Sequence, residues 1–193
     1  AGADRLEGGK GDDYYVLDGA DTIIETSTGG NDTVESTATV DLNLAAFANV
    51  ENVVLTGTAA ADITGTRAKN TLVGNTGVNI IDGGAGADVM SGDDGSDTYY
   101  VDNKGDQVIE DLADGDTDLV YASVDYTISE GIENLTLTGT SNIDGTGNAQ
   151  ANLITGNSGR NTLDGGAGAD TLNGGAGDDR LYAGVDAVVD SLT

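Results

Sequence analysis

Large apolar residues recur every nine positions through much of the chain. The glycine-rich segments between them argue against helices, because glycine destabilises a helix interior. A repeating unit made of a tight turn and a three-residue strand has this pattern, because such a strand buries only its central side chain. The pattern therefore predicts many short strands in an all-β fold. The recurring apolar residues are Leu72, Ile81, Met90, Tyr99 and Val108 in the middle of the chain, and Ile154, Leu163, Leu172 and Leu181 near its end.

Each nine-residue unit is predicted to form half a turn of a coil, so that residues two units apart stack on each other. One edge of the coil then carries Asn70, Asp88 and Asp106, and the opposite edge carries Asn79 and Asp97. Stacked strands lie about 4.7–4.9 Å apart. Carboxylates at that spacing repel each other unless one is protonated or a cation lies between them. The stacking therefore predicts cations between successive loops.

Two intervening stretches, 33–64 and 118–146, alternate apolar and polar residues instead. This alternation predicts longer strands with one buried face, which extend the same stack. We find no metal-binding pattern there. The alternating residues are Val34, Ser36, Ala38, Val40 and Leu42 in the first stretch, and Val120, Ala122, Val124, Tyr126 and Ile128 in the second.

The chain is a tandem duplication. Residues 50–58 recur as residues 132–140, and residues 81–88 recur as residues 163–170. We predict a first repeat module at 1–82 and a second at 83–193, continuous with the first in one elongated solenoid. Since there is no initiator Met and the last residues repeat the end of a unit, we interpret the chain as a piece of a longer protein whose adjacent modules are its partners.

Composition narrows the partners and the chemistry. The 34 acidic and 7 basic residues give a formal net charge of −27, which makes nucleic acid and anionic membrane surfaces poor partners, and we expect no nucleic-acid partner. The absence of Cys and His removes disulfides, zinc sites and the usual general base. No apolar run is long enough to span a membrane. Apolar residues still make up 37%, so the chain can fold if cations cancel its charge.

Four segments carry the complete nonapeptide Gly-Gly-x-Gly-x-Asp-x-U-x, where U is large and apolar; they begin at Gly8, Gly83, Gly165 and Gly174. Glycine allows positive φ, which curls the backbone and turns carbonyl oxygens inward. Carboxylate and carbonyl oxygens are the ligands that Ca²⁺ prefers. The nonapeptide resembles the calcium-binding repeat of the repeats-in-toxin (RTX) family. The fold that the resemblance implies is a right-handed parallel β-roll or β-helix solenoid with several bound Ca²⁺ ions.

The resemblance also implies which residues bind the metal. It assigns the aspartates of the complete units as ligands, together with carbonyl oxygens of the glycine loops. Asn79 and Asn161 replace Asp in the same column, where their amides can coordinate without charge; stacked Asn residues that hydrogen-bond without metal are the alternative. The predicted metal-binding residues are Asp4, Gly8, Gly9, Gly11, Asp13, Asp21, Asn70, Asn79, Gly83, Gly84, Gly86, Asp88, Gly92, Gly95, Asp97, Asp106, Asn161, Gly165, Gly166, Gly168, Asp170, Gly174, Gly175, Gly177 and Asp179.

The function that the resemblance implies is a calcium-binding spacer or secretion-assisting module of a Gram-negative bacterial protein. Such a protein leaves through type I secretion and folds in the calcium outside the cell, so we expect a secreted, extracellular or cell-surface location. The alternative is a carbohydrate-binding accessory module, with Tyr14 and Tyr100 as surface contacts and Tyr15 and Tyr99 in the core. No singular acid or base stands out, so the sequence predicts no catalytic residue and no enzyme.

Overall fold

The computed structural model describes residues 2–110, 116–184 and 190–193. It is a β-solenoid of about 10 turns built from parallel strands, as predicted. Ala45–Phe47 form a single turn of 3₁₀ helix, and no described helix is long and apolar enough to cross a membrane. The strands are β1 Arg5–Glu7, β2 Tyr14–Val16, β3 Thr22–Ile24, β4 Thr33–Ser36, β5 Val40–Asp41, β6 Asn52–Leu55, β7 Ile63–Thr64, β8 Thr71–Val73, β9 Ile80–Asp82, β10 Val89–Ser91, β11 Thr98–Val101, β12 Gln107–Ile109, β13 Leu119–Ala122, β14 Tyr126–Thr127, β15 Asn134–Leu137, β16 Gly145–Thr146, β17 Leu153–Thr155, β18 Thr162–Asp164, β19 Thr171–Asn173, β20 Arg180–Tyr182 and β21 Ser191–Leu192.

Consecutive strands belong to different sheets, and each strand pairs in parallel with a strand two places along the chain. In the nonapeptide region Thr71 pairs with Val89, and Val89 pairs with Gln107. Two nine-residue units therefore make one turn, as the sequence predicted. The sheet orders are β12-β10-β8-β6-β4-β2, β21-β19-β17-β15-β13-β11-β9-β7-β5, β14-β16-β18-β20 and β1-β3.

The core is the column of side chains at the apolar position of each unit. Leu72, Ile81, Met90 and Tyr99 are each 0% exposed. Because each three-residue strand contributes one inward side chain, the core is narrow and continues from turn to turn. The predicted positions are confirmed, except that Leu181 is only partly buried.

The prediction of longer strands in the alternating stretches is wrong. β4 ends at Ser36 and β5 begins at Val40, on a different sheet. The Ser36 hydroxyl donates to the carbonyl of Ala38 and accepts its N–H, each at 3.0 Å, and this contact turns the chain. A solenoid this narrow needs a corner every half turn, so Ala38 is exposed at the corner instead of buried in a strand. The second stretch divides in the same way, between β13 and β14.

Candidate calcium-binding loops

The glycine loops stack closely on the loops of the preceding turn. Gly84 and Gly166 have φ of 72° and 91°, in the left-handed region. A Cβ at Gly84 would lie 2.1 Å from the carbonyl oxygen of Thr66, and one at Gly166 would lie 2.3 Å from that of Asn148. Glycine is therefore needed for the turn and for the approach of neighbouring backbones. Asp93, which occupies a glycine position of the repeat, keeps the conformation with φ of 71°.

Each aspartate of the repeat bonds to the turn before it. The N–H of Asn70 donates to Asp88 Oδ1 at 2.7 Å, and the N–H of Asp88 donates to Asp106 Oδ1 at 3.0 Å. On the opposite edge, the N–H of Asn79 donates to Asp97 Oδ1 at 2.7 Å. The predicted columns are therefore confirmed as stacks. Asp170 and Asp179 accept from Asn152 and Asn161 in the same way, at 2.9 and 2.8 Å.

The second oxygen of Asp88 has no such bond. Asp88 is 0% exposed, and its Oδ2 has no hydrogen-bond partner among the described residues. The pKa of Asp88 is raised to about 6, mainly by burial and also by the nearby carboxylates of Asp106, Asp102 and Asp82, against the lowering effect of the Asn70 N–H. A buried ionised oxygen without a partner is costly. A bound cation would remove that cost.

Asp106 differs from Asp88, because its carboxylate is bonded on both sides. Besides the N–H of Asp88, it accepts the N–H groups of Asp102 and Asn103 at Oδ2, at 3.2 and 3.1 Å. The loop that replaces glycines with Val101, Asp102 and Lys104 thus supplies its own donors to the aspartate.

The Asn residues of the columns are satisfied by hydrogen bonds. Asn79 Oδ1 accepts the N–H of Asn75 at 2.8 Å, and its Nδ2 donates to the carbonyl of Ala61 at 2.6 Å. An amide can make both bonds because it carries a donor as well as an acceptor, which a carboxylate does not. These contacts favour the metal-free alternative for the Asn loops. Asn70, Asn152 and Asn161 make the same pair of bonds, to their own loop and to the carbonyls of Glu51, Ile132 and Ile143.

Three groups of carboxylates converge, each with ligand atoms within 4.8 Å of one another: Asp4, Asp18 and Asp21; Asp13, Glu25 and Asp32; and Asp97, Glu110 and Asp118. The sequence prediction included Asp4, Asp21, Asp13 and Asp97. It missed the other members, which lie outside the nonapeptide pattern. The signal that could have found the two glutamates is the duplication, since Glu25 and Glu110 each follow an isoleucine and lie 12 and 13 residues after the repeat aspartates Asp13 and Asp97.

In the acidic cluster of Asp13, Glu25 and Asp32, Glu25 and Asp32 are buried and Asp13 is half-buried. Burial raises the pKa of Asp32, whereas a hydrogen bond from the Tyr15 hydroxyl lowers the pKa of Glu25. The ion pairs within the described ranges are Arg5–Glu7 and Lys104–Asp125, both solvent-exposed. No described base therefore neutralises this cluster.

The family of the chain follows from the repeats. The model of the RTX calcium-binding nonapeptide repeat matches four copies, over residues 1–24, 64–99 and 146–187. The chain belongs to this family. No curated protein and no solved structure matches it. The matched ranges include the loops of Asp13, Asp88 and Asp97 but end before Glu25 and Glu110.

Proposed function

We propose that the chain is a calcium-binding module that folds as calcium binds, in a secreted protein. The observation that carries the proposal is Asp88, a fully buried carboxylate with one oxygen unsatisfied among the described residues, in a loop of the calcium-binding repeat. With a net charge of −27, stacking such loops without cations is unfavourable. Binding and folding are then linked, because the site exists only when two turns are stacked.

The calcium ligands we propose are the carboxylates of the Asp loops and the carbonyl oxygens of their glycines. The aspartates concerned are Asp13, Asp88, Asp97, Asp170 and Asp179. We assign the Asn loops to hydrogen bonding, since the amides occupy the same column with donors of their own. The two modules, 1–82 and 83–193, would each contain loops of both kinds.

The proposed location is outside a Gram-negative cell, reached by type I secretion. Family membership and the lack of cysteine support it. Calcium sites of extracellular modules have Kd of about 10⁻⁴–10⁻³ M. Sites in this range would be empty in the cytosol, which keeps the chain unfolded for export, and filled outside. The role is structural and not catalytic.

Far-UV circular dichroism during a calcium titration of the EGTA-stripped protein tests this function. We expect a cooperative gain of β-structure with calcium and none with magnesium at the same concentration, because Mg²⁺ gives up its waters reluctantly. A spectrum that is already β-rich in EGTA and indifferent to calcium would contradict the proposal.

Carbohydrate binding is the second candidate function. Tyr100 is 43% exposed, and its ring stacks on that of Tyr121 with centroids 5.3 Å apart. Such a pair offers an aromatic face on which a sugar ring can pack. Tyr14, the other candidate, donates its hydroxyl to Glu35 at 2.7 Å. Calorimetry with neutral polysaccharides tests this function, and Tyr100→Ala should abolish any binding that is found.

A further inference from the structure

The cluster of Asp13, Glu25 and Asp32 combines carboxylates from two successive turns. Glu25 Oε1 accepts the N–H of Gly9 at 3.1 Å and the hydroxyl of Tyr15. Asp32 Oδ1 accepts the N–H of Asp13 at 2.9 Å. These bonds fix Glu25 and Asp32 from one side. The second oxygens are Glu25 Oε2, which accepts the N–H of Thr26 at 3.2 Å, and Asp32 Oδ2.

The space between those oxygens is kept open by a glycine. A Cβ at Gly29 would lie 2.6 Å from Glu25 Oε2, 3.1 Å from the carbonyl oxygen of Thr26 and 3.2 Å from Asp32 Oδ2. Asp32 is 0% exposed, and this Oδ2 has no hydrogen-bond partner among the described residues. A buried carboxylate oxygen without a hydrogen-bond partner therefore lies among other oxygens, and no described base forms an ion pair with the cluster.

The same construction recurs in the second copy of the duplication. Glu110 accepts the hydroxyl of Tyr99 and the N–H of Gly92, the latter at 3.3 Å. Asp118 Oδ1 accepts the N–H of Asp97 at 2.7 Å. Each bond has its counterpart around Glu25, although the segments that follow the two glutamates differ in sequence. The repetition shows that the arrangement is a built feature of the fold.

We propose that these two clusters, which we call the tyrosine-anchored sites, form a second class of Ca²⁺ site. In the loops of Asp88, Asp170 and Asp179 one aspartate acts with backbone carbonyls. Each tyrosine-anchored site adds two further carboxylates to the repeat aspartate, Asp13 or Asp97, and so brings three to one ion. Three carboxylates more than neutralise a divalent cation, and affinity for Ca²⁺ rises with the charge and rigidity of the ligands. The tyrosine hydroxyl donates to the glutamate carboxylate and so orients it, as hydrogen-bonding partners of metal ligands do. These sites therefore fill at lower calcium than the repeat loops. They require two stacked turns, whether or not calcium drives the stacking.

Terbium luminescence excited through tyrosine tests the proposal on the full chain. Tb³⁺ replaces Ca²⁺, and the chain contains no Trp, so tyrosine is the sensitiser. Tyr15 and Tyr99 each touch a proposed ligand, so bound Tb³⁺ should emit strongly and calcium should displace it. The double variant Tyr15→Phe/Tyr99→Phe should lose most of the sensitised emission and bind the first ions roughly 10–100-fold more weakly.

A matched control exists on the surface. Tyr14 donates its hydroxyl to Glu35 at 2.7 Å, and neither residue belongs to the three clusters, so Tyr14→Phe removes a tyrosine–glutamate bond that involves no proposed ligand. It should leave the emission and the affinity unchanged. Equilibrium dialysis of Glu25→Gln/Glu110→Gln should show two fewer tightly bound ions. Circular dichroism in saturating calcium checks that each variant is folded.

Two results would overturn the tyrosine-anchored sites: full sensitised emission in Tyr15→Phe/Tyr99→Phe, or unchanged high-affinity stoichiometry in both double variants. The conservative Tyr→Phe pair keeps the test valid if the Glu→Gln pair does not fold. Asp88→Asn separates this proposal from the proposed function, because it alters a repeat loop only and should leave the sensitised emission intact. In the unaltered chain, sensitised emission without any calcium-driven gain of β-structure would refute the proposed function alone.

Discussion

Replacing Asp88 with Asn should change stability in opposite directions without and with calcium. Asp88 is fully buried, and its Oδ1 already accepts the N–H of Asn70. An asparagine keeps this acceptor and the shape of the side chain. In that orientation its amide nitrogen takes the place of Oδ2, the oxygen without a hydrogen-bond partner among the described residues. The substitution therefore removes a charge and supplies a donor.

The magnitude follows from the pKa of Asp88. Burial, as the main cause, raises that pKa to about 6 in the calcium-free fold, compared with about 3.9 in an unfolded chain. At neutral pH the ionised carboxylate thus destabilises the calcium-free fold by roughly 3 kcal/mol, at 1.36 kcal/mol per pKa unit. Asp88→Asn should recover up to about that amount in EGTA. In calcium the variant loses a charged ligand, so its calcium-dependent stabilisation should shrink.

Urea unfolding followed by circular dichroism measures both effects, in EGTA and in saturating calcium. Trimethylamine oxide can be added at constant concentration if the calcium-free protein is too unstable to show a baseline. Asp178→Asn is the matched control, since it removes the same charge from an exposed position of a repeat loop. If Asp88→Asn destabilises the protein in EGTA, or gains as much from calcium as the unaltered chain, the assignment of Asp88 as a ligand is refuted.

Three further predictions concern acid, the loops and the core. Because the pKa of Asp88 is raised on folding, its protonation stabilises the calcium-free fold below about pH 4, and this stability is lost as the pH rises through about 6; β-structure in EGTA should therefore increase on acidification. Gly84→Ala should cost about 1–3 kcal/mol more than Gly139→Ala in calcium, by urea unfolding, because both have positive φ but only Gly84 meets a carbonyl, that of Thr66 at 2.1 Å. Leu163→Ala should cost about 2–5 kcal/mol and lower Tm, because Leu163 is 0% exposed.

Each of these has a contrary result. A flat circular dichroism signal between neutral and mildly acidic pH in EGTA would show that carboxylate repulsion does not oppose folding. If Gly84→Ala and Gly139→Ala lower the free energy of unfolding equally, Gly84 is needed only for its backbone conformation and not for the close approach of the Thr66 carbonyl. A loss below about 1 kcal/mol for Leu163→Ala would mean that the narrow core adds little to stability.

The residue pattern was sufficient for the repeat architecture. The nine-residue beat places Leu72 and Ile81 in the core and stacks Asp88 over Asn70, because two units always make one turn. Every contact inside the repeats is thus a fixed number of residues away, and periodicity can predict it. The glycines of the loops follow from the same regularity.

Outside the repeats the fixed spacing fails, and only the tertiary structure decides. Val40 pairs with Ile63 and Thr98 with Leu119, at separations that no beat gives, because insertions at the corners change the length of a turn. The break after Ser36 depends on the width of the core, and the approach of Glu25 to Asp13 depends on how two unlike loops stack. The separation of such contacts along the chain is set by three-dimensional packing, so the sequence pattern cannot predict them.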